Sequence, residues 1–443
     1  MVILWTDALL LLLVLLLTAG AFWVRRNAAL RRPCRTVAHS CIGMAALTIL
    51  LLFLGIGLLD SIHYRDANSP SKEIISVLDA WLRPLRVNTE KTYSAPFAAY
   101  AYSRELMTDP TTGALRWDYP RLEYGGAHLA DPARDKFDDL VTKTLRGLLK
   151  GLAVCGGASI LAWLRRRRWP RAPSLRLVMA LCSGIVVLGF TVAELAQFYH
   201  VLGTDKVGED VLYQALKSIR TGLVIGMLTT LIMLPVAIVF GVLAGFFGNW
   251  IDDLIQYLYT TLNSIPSVLL IAASILVVQI YMANHEAQFT SLIVRADMRL
   301  LFLCLILGMT SWTGLCRLLR AETLKLREME YVQAARALGV TAPVILYRHI
   351  LPNVMPIVLI AVTLDFSALV LAEAVLSYIN IGVDPTTYSW GNMINGARLE
   401  MAREPIVWWS LTAAFVFMFA LVLAANLFAD VVRDAFDPRR VAS

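Results

Sequence analysis

Residues able to do chemistry are sparse in this chain. Two carboxylates, Asp365 and Glu373, lie inside or near the end of one long apolar run. An acid within a membrane segment is costly and is therefore a candidate for a solute or proton pathway. Their spacing leaves about 80° between them around a helix, so both can face a bundle interior. The same positions suit a plain polar contact to a neighbouring helix or an outer loop, and Glu194 is open to the same two readings. The histidines (His39, His63, His128, His200, His285 and His349) have no metal-ligand spacing. HExxH and GxSxG are absent, which argues against a membrane enzyme. GxxxxGK[ST] is absent too, so the chain has no phosphate loop with which to hydrolyse ATP. The cysteines Cys34, Cys41, Cys155, Cys182, Cys304 and Cys316 form no CxxC, and the expectation is small apolar core residues.

A second kind of chemistry, docking, has a better candidate. Glu330 to Gly339 and on to Asn353 lies between two apolar runs and is flanked by arginines. As a helix it places Tyr331, Ala334, Ala335 and Leu338 at i, i+3, i+4 and i+7, one apolar face with two small residues at its centre. Gly339 suits the left-handed position that ends a helix. Thr341 can cap a second helix with Pro343 in its first turn. The pattern suits a docking element; it also suits a loop helix lying on headgroups.

The elements that must position these residues are membrane spans. The chain has 443 residues, 58% hydrophobic and 16% charged, against about 25% charged in typical soluble domains. Several apolar runs are long enough for a hydrocarbon core of roughly 30 Å. The net charge of +7 fits Lys and Arg retained in inner loops and needs no nucleic acid. Nine spans are expected, near 3–24, 38–60, 146–164, 176–198, 219–245, 254–278, 300–319, 354–379 and 406–429. The run Arg165 to Arg168 and the arginines after the first span put the N-terminus outside and the C-terminus inside. Thr18 to Ala21 has the small residues of a cleavage site, but the charges follow the apolar run, so a retained span is the expectation. Residues 61–146 form an outer insert. Within it Ile74, Ile75, Leu78, Trp81, Leu82 and Leu85 read as a helical stripe, and Tyr93, Tyr100, Tyr102, Trp117, Tyr119 and Tyr124 read as a small core. Gly222-x-x-x-Gly226 and Gly241-x-x-x-Gly245 are expected to share one face for close helix packing, with a kink at Pro235 between them. Pro266 is expected to interrupt the sixth span.

With the docking stretch placed inside, it resembles the EAA loop of binding-protein-dependent ABC importer permeases. The match runs over Gln333-Ala334-Ala335, Gly339 and Leu351-Pro352; Gln333 replaces the usual glutamate. Arg348-His349-Ile350-Leu351-Pro352-Asn353 looks like the peptide-permease subgroup. Leu202 to Leu212 resembles that subgroup's LGTDxxGRDVL element, with Glu209 in place of arginine. Ala244 to Asp252 is similar to its AGYxGGxxD turn, and Ser389-Trp390-Gly391 and Arg433 to Pro438 to its later loop and tail. The resemblance covers about residues 175–440 and points to the C-type subunit of dipeptide and oligopeptide importers; the first ~170 residues have no counterpart in the usual six-span subunit.

The resemblance implies an all-α polytopic fold, a type I ABC importer transmembrane domain with extra N-terminal spans. Its parts would be two N-terminal helices (1–60), the insert (61–146), a further span with an Arg-rich loop (147–174) and the permease core (175–443) with its coupling loop (320–352). It implies an ATPase-coupling site at Tyr331, Gln333, Ala334, Ala335, Leu338, Gly339, Leu351 and Pro352. It implies as partners a homologous B-type permease, two ATP-binding subunits carrying ATP and Mg, and a periplasmic binding protein, with no cofactor on this chain. Nickel complexes or other small solutes are the alternative cargo, and an ion-coupled secondary transporter using Asp365 or Glu373 is the rival class.

Overall fold

The computed structural model describes residues 4–26, 28–65, 74–108, 115–165, 173–285 and 291–436. The described chain begins with helices α1 (Trp5–Arg26), α2 (Ala28–His39) and α3 (Cys41–Asp60). Strands β1 (His63–Arg65) and β2 (Ile74–Ser76), helices α4 (Val77–Trp81) and α5 (Arg83–Val87), and strands β3 (Glu105–Thr108) and β4 (Leu115–Asp118) follow. Then come α6 (Pro132–Arg165), α7 (Pro173–Leu195), α8 (Val211–Phe247), α9 (Asn249–Ser264), α10 (Ser267–Asn284) and α11 (Leu292–Arg327). The chain ends with α12 (Glu330–Ala337), α13 (Ala342–Ile345), a π-helical turn (Leu346–Ile350), α14 (Leu351–Tyr378), α15 (Trp390–Glu400) and α16 (Trp409–Phe436). It is an all-α polytopic membrane protein.

Six described helices are long and apolar enough to cross a membrane: Cys41–Asp60, Ser174–Leu195, Val211–Phe247, Ser267–Asn284, Ala342–Tyr378 and Trp409–Phe436. The other three expected spans fall on α1, α6 and α11. Helix α1 holds a shorter apolar stretch, Trp5–Gly20, while α6 and α11 carry charged turns at their ends. The expected break at Pro266 is present: α9 stops at Ser264 and α10 starts at Ser267, with Ile265 extended between them. Thr313 Oγ1 donates to Asn263 Oδ1 beside that break. The arginines from Arg166 to Arg171 and the tail from Asp437 to Arg440 lie outside the described residues.

The chain divides into two compact units. One runs over Thr36–Thr221 and Tyr388–Ala424. The insert belongs to it, and here two expectations are corrected. Ile74 to Leu85 is not one helix: Ile74–Ser76 is a strand paired with His63–Arg65, and two short helices follow. Ser76 switches the backbone, because its hydroxyl and the Asp79 carboxylate form a capping box that starts α4. Pro84 then opens a separate turn, α5. Nor do the aromatics make a core: Tyr93 is buried, but Tyr100, Trp117, Tyr119 and Tyr124 are exposed. In the same unit α6 and α7 pack closely, since Gly147 and Gly151 leave no room for a Cβ against the backbones of Thr191 and Val187.

The insert is joined to the Leu202–Leu212 element through buried ions. His200 lies between Asp210, 2.8 Å from its Nδ1, and Glu90, 3.4 Å from its Nε2. The Glu90 carboxylate also accepts the backbone N–H groups of Glu123, Tyr124 and Gly125. Burial opposes the charge on Glu90, but His200 and these donors outweigh it and hold the carboxyl at about 2. Burial likewise opposes the imidazolium of His200, and its two carboxylates overcome that and lift it to about 9. Lys217 bridges Asp60 at 2.6 Å and Asp79 at 2.9 Å. Gly203 and Gly208 take φ of 73° and 79°. Their missing side chains leave room for the carbonyls of Ser94 and Glu90.

The second unit centres on Gly222–Thr387, with α1 and the last turns of α16. Its core gathers Met233, Ala237 and Phe246 of α8, Ile255 and Tyr259 of α9, Trp312 and Leu319 of α11, and Val354 and Val358 of α14. Gly241 and Gly245 press on α11, whereas Gly226 presses on Phe366 and Val370 of α14. Gly226 therefore serves a different neighbour from the Gly241–Gly245 pair, because the step from Gly226 to Gly241 leaves about 60° of rotation on a 3.6-residue helix.

Candidate functional site: the coupling loop

The site is the α12–α14 segment. Helix α12 starts after Met329, whose backbone is extended, and ends in a Schellman motif. Gly339 has φ 77°, its N–H reaches the Arg336 carbonyl, and the Val340 N–H reaches that of Ala335. Thr341 takes the N-cap position of α13 with Pro343 in the first turn, though without a side-chain cap. The π-helical turn then feeds α14, with Pro352 at its start. Such turns recur at functional positions.

The face read as one stripe splits. Val332 and Ala335 turn inward and join the core with Phe246, Ile345 and Ile350. Tyr331, Gln333, Ala334 and Leu338 turn outward, and Leu338 is 83% exposed. Two adjacent alanines thus do opposite work, one packing within the chain and one bare. Tyr347, 78% exposed, extends the bare surface and is a residue the sequence reading missed. The Gln333 side-chain amide donates to the Glu328 carbonyl at 3.2 Å. Asn353 Nδ2 donates to the His349 carbonyl at 2.6 Å and the Tyr331 hydroxyl at 3.3 Å, with the Tyr331 and His349 rings 6.0 Å apart. These contacts tie α12 to the start of α14. Leu351 is half-buried against the core and Pro352 is exposed.

Two of the three acids, Asp365 and Glu373, belong to the same unit. Glu373 is buried in α14 and accepts a hydrogen bond from Ser377 Oγ at 2.7 Å. Asp365 is half-buried, and among the described residues it makes no hydrogen bond or ion pair. Glu194, in the other unit, pairs with Lys150 at 2.6 Å. Asp365 and Glu373 lie farther along α14 than Leu351 and Pro352 at its start.

Long apolar helices define a multi-pass membrane component, and one of its loops carries a short helix that is bare on one side. A family model, the binding-protein-dependent transport system inner membrane component, matches residues 237–441. A peptide permease protein of Brucella suis is 33% identical over 242 residues, covering 54% of this chain and 73% of the relative. The oligopeptide transport system permease protein OppC of Mycobacterium tuberculosis is 32% identical over 239 residues, covering 54% and 76%. The dipeptide transport system permease protein DppC of Lactococcus lactis is 31% identical over 240 residues, covering 54% and 64%. The chain belongs to the binding-protein-dependent transport inner-membrane component family, among its C-type peptide-permease subunits.

Proposed function

We propose that this chain is the C-type permease subunit of an ATP-driven importer carrying peptides or peptide-like solutes across the inner membrane. The observation that carries the reading is the outward face of α12. An eight-residue helix is marginal by itself. Val332 and Ala335 root it in the core, while Tyr331, Ala334 and Leu338 remain bare. An apolar surface so supported suits a protein partner, here an ATP-binding subunit. With no phosphate loop in this chain, ATP and Mg belong on two such subunits, and the chain itself is neither an enzyme nor a cofactor carrier. A homologous B-type permease and a periplasmic binding protein complete the assembly, and α12 relays ATPase closure to the spans. Alternating access then rocks the bundle around a site near the midplane. Asp365 and Glu373 are the ionisable residues offered to that pathway. The arginine-rich segments support an orientation with the C-terminus in the cytoplasm and the N-terminus in the periplasm. Nothing specific favours a nickel complex over a peptide.

The test uses Leu338→Asp, since Ala335→Glu would disrupt this chain's own core. The expected outcome is normal membrane insertion, loss of the ATP-binding chains on co-purification and a fall in uptake of about tenfold or more, a charge at the centre of an interface costing about 2 kcal/mol. Recovery of Leu338→Asp with both ATP-binding chains and full uptake would sink the docking role. Uptake by the purified chain alone would move it to the secondary transporters.

A further inference from the structure

The turn between α8 and α9 has no role in the reading above, yet three arginines converge on it. Arg320 of α11 grips Asp252 with both sides of its guanidinium, Nε to Oδ1 at 2.5 Å and Nη2 to Oδ2 at 2.6 Å. Arg327, the last residue of α11, donates from Nη1 to the Gly245 carbonyl at 3.3 Å. Arg336, inside α12, lies over the Phe246 ring at 4.5 Å from its centroid. Phe246 packs in the same core as Val332 and Ala335, the inward residues of α12. The turn itself is fixed in shape: Gly248 and Asn249 hold φ of 65° and 48°, and a Cβ on Gly248 would crowd Arg327.

These contacts differ in kind. Apolar contacts let a helix slide, because they have little directional preference. A bidentate guanidinium–carboxylate pair fixes both distance and angle. Here the pair is largely withdrawn from water, with 24% and 14% of the two side chains exposed. Close to it, Gly241 and Gly245 hold α8 against α11 with no room for a side chain. A displacement of α12 therefore meets a stiff joint, not a loose loop.

We propose that the Gly245–Asp252 turn is the seat through which movement of α12 passes to α8 and α9, and that Asp252 and Arg320 are its positioning residues. The proposal rests on the importer reading. Arg327 and Arg336 hold the seat to the end of α11 and to α12, and the Asp252–Arg320 pair sets the angle at which α9 leaves it.

The experiment reconstitutes the chain with its permease and ATP-binding partners in proteoliposomes and measures uptake and ATP hydrolysis together, with a peptide and its binding protein as probe. Asp252→Asn and Arg320→Lys are expected to leave hydrolysis within about twofold while uptake per ATP falls about tenfold, within the usual range of coupling free energies. The exchanged pair D252R/R320D is expected to recover part of the ratio. Asp253→Asn, at the exposed neighbouring acid, is expected to change nothing. Arg327→Ala leaves the ion pair in place and is expected to lower the ratio as well, so it still decides the matter if Asp252→Asn fails to assemble. An unchanged ratio in Arg327→Ala, or in an assembled Asp252→Asn, overturns the proposal. An equal fall of uptake and hydrolysis in an assembled variant also overturns it. Failure of the unaltered assembly to show ATP-dependent uptake would instead overturn the importer reading beneath it.

Discussion

At the scale of single residues, the Leu202–Leu212 element and its join to the insert rest on Gly203, Gly208 and His200. Gly208 has a positive φ, and the Glu90 carbonyl occupies the place of its absent Cβ. Gly208→Ala should therefore destabilise the protein by about 3 kcal/mol or more, through strain and overlap together. Thermal unfolding in detergent would measure it, and a melting point equal to the parent's would contradict the argument. His200 and Glu90 make stability depend on pH. The Glu90 carboxyl ionises near 4.5 when unfolded and about 2 when folded, so its contribution is present above 4.5 and vanishes as pH falls through 2. His200 titrates near 6.5 unfolded and about 9 folded, so its contribution is full below 6.5 and lost as pH rises through 9. These two groups alone give a plateau between 4.5 and 6.5. His200→Gln should flatten the alkaline slope of an unfolding-against-pH curve; an unchanged slope would place the titration elsewhere.

At the scale of elements, the glycines of α8 rank themselves. A Cβ on Gly245 would meet the Arg320 carbonyl at 2.7 Å, which is backbone and cannot yield. One on Gly226 would meet the Phe366 ring at 2.5 Å, and a ring can turn. Gly245→Ala should therefore cost more than Gly226→Ala, within a range of about 1–3 kcal/mol for overpacking. Equal melting points for the two variants would refute the ordering. This ranking also marks where the sequence stops being legible. Apolar runs locate the helices, because a spanning segment must satisfy its own backbone. They do not say which side faces which neighbour: from Gly222 to Phe247 α8 is apolar all round, and lipid is as apolar as a packed core. Ala334 and Ala335 are identical by composition, and only Val332, one turn from Ala335, reveals which side is inward. The motifs Gln333 to Gly339 and Leu202 to Leu212 were readable because each needs glycine at a fixed backbone position. Ile74 to Leu85 misled because apolar spacing alone cannot register the switch that Ser76 makes from strand to helix.

At the scale of the whole chain, the insert combines two kinds of structure with different tolerance to change. Residues 74–94 are held by buried groups: Asp79 through Lys217 and Tyr213, Glu90 through His200, and Ser94 through Thr204. Among the described residues, the hairpin of β3 and β4 is held by its own ladder, from Glu105 opposite Asp118 to Thr108 opposite Leu115. Its side chains are exposed apart from half-buried Glu105, and Leu106, Leu115 and Trp117 are bare. A lone two-stranded ribbon adds little stability. Replacing residues 105–118 by two glycines should therefore shift unfolding by no more than about 0.5 kcal/mol, the usual limit for surface changes. Cα atoms of paired residues lie about 5.5 Å apart, so so short a linker can bridge Arg104 and Tyr119. Removing 74–94 should abolish folding of the first unit: Lys217 keeps Asp60 and His200 keeps Asp210, but Lys217 and Tyr213 lose Asp79, His200 loses Glu90 and Thr204 loses Ser94, and buried Ile75, Leu78 and Leu85 go with them. Melting of both deletions, read beside the parent, checks the contrast. A hairpin deletion that unfolds as readily as the 74–94 deletion would mean that β3 and β4 hold the first unit together.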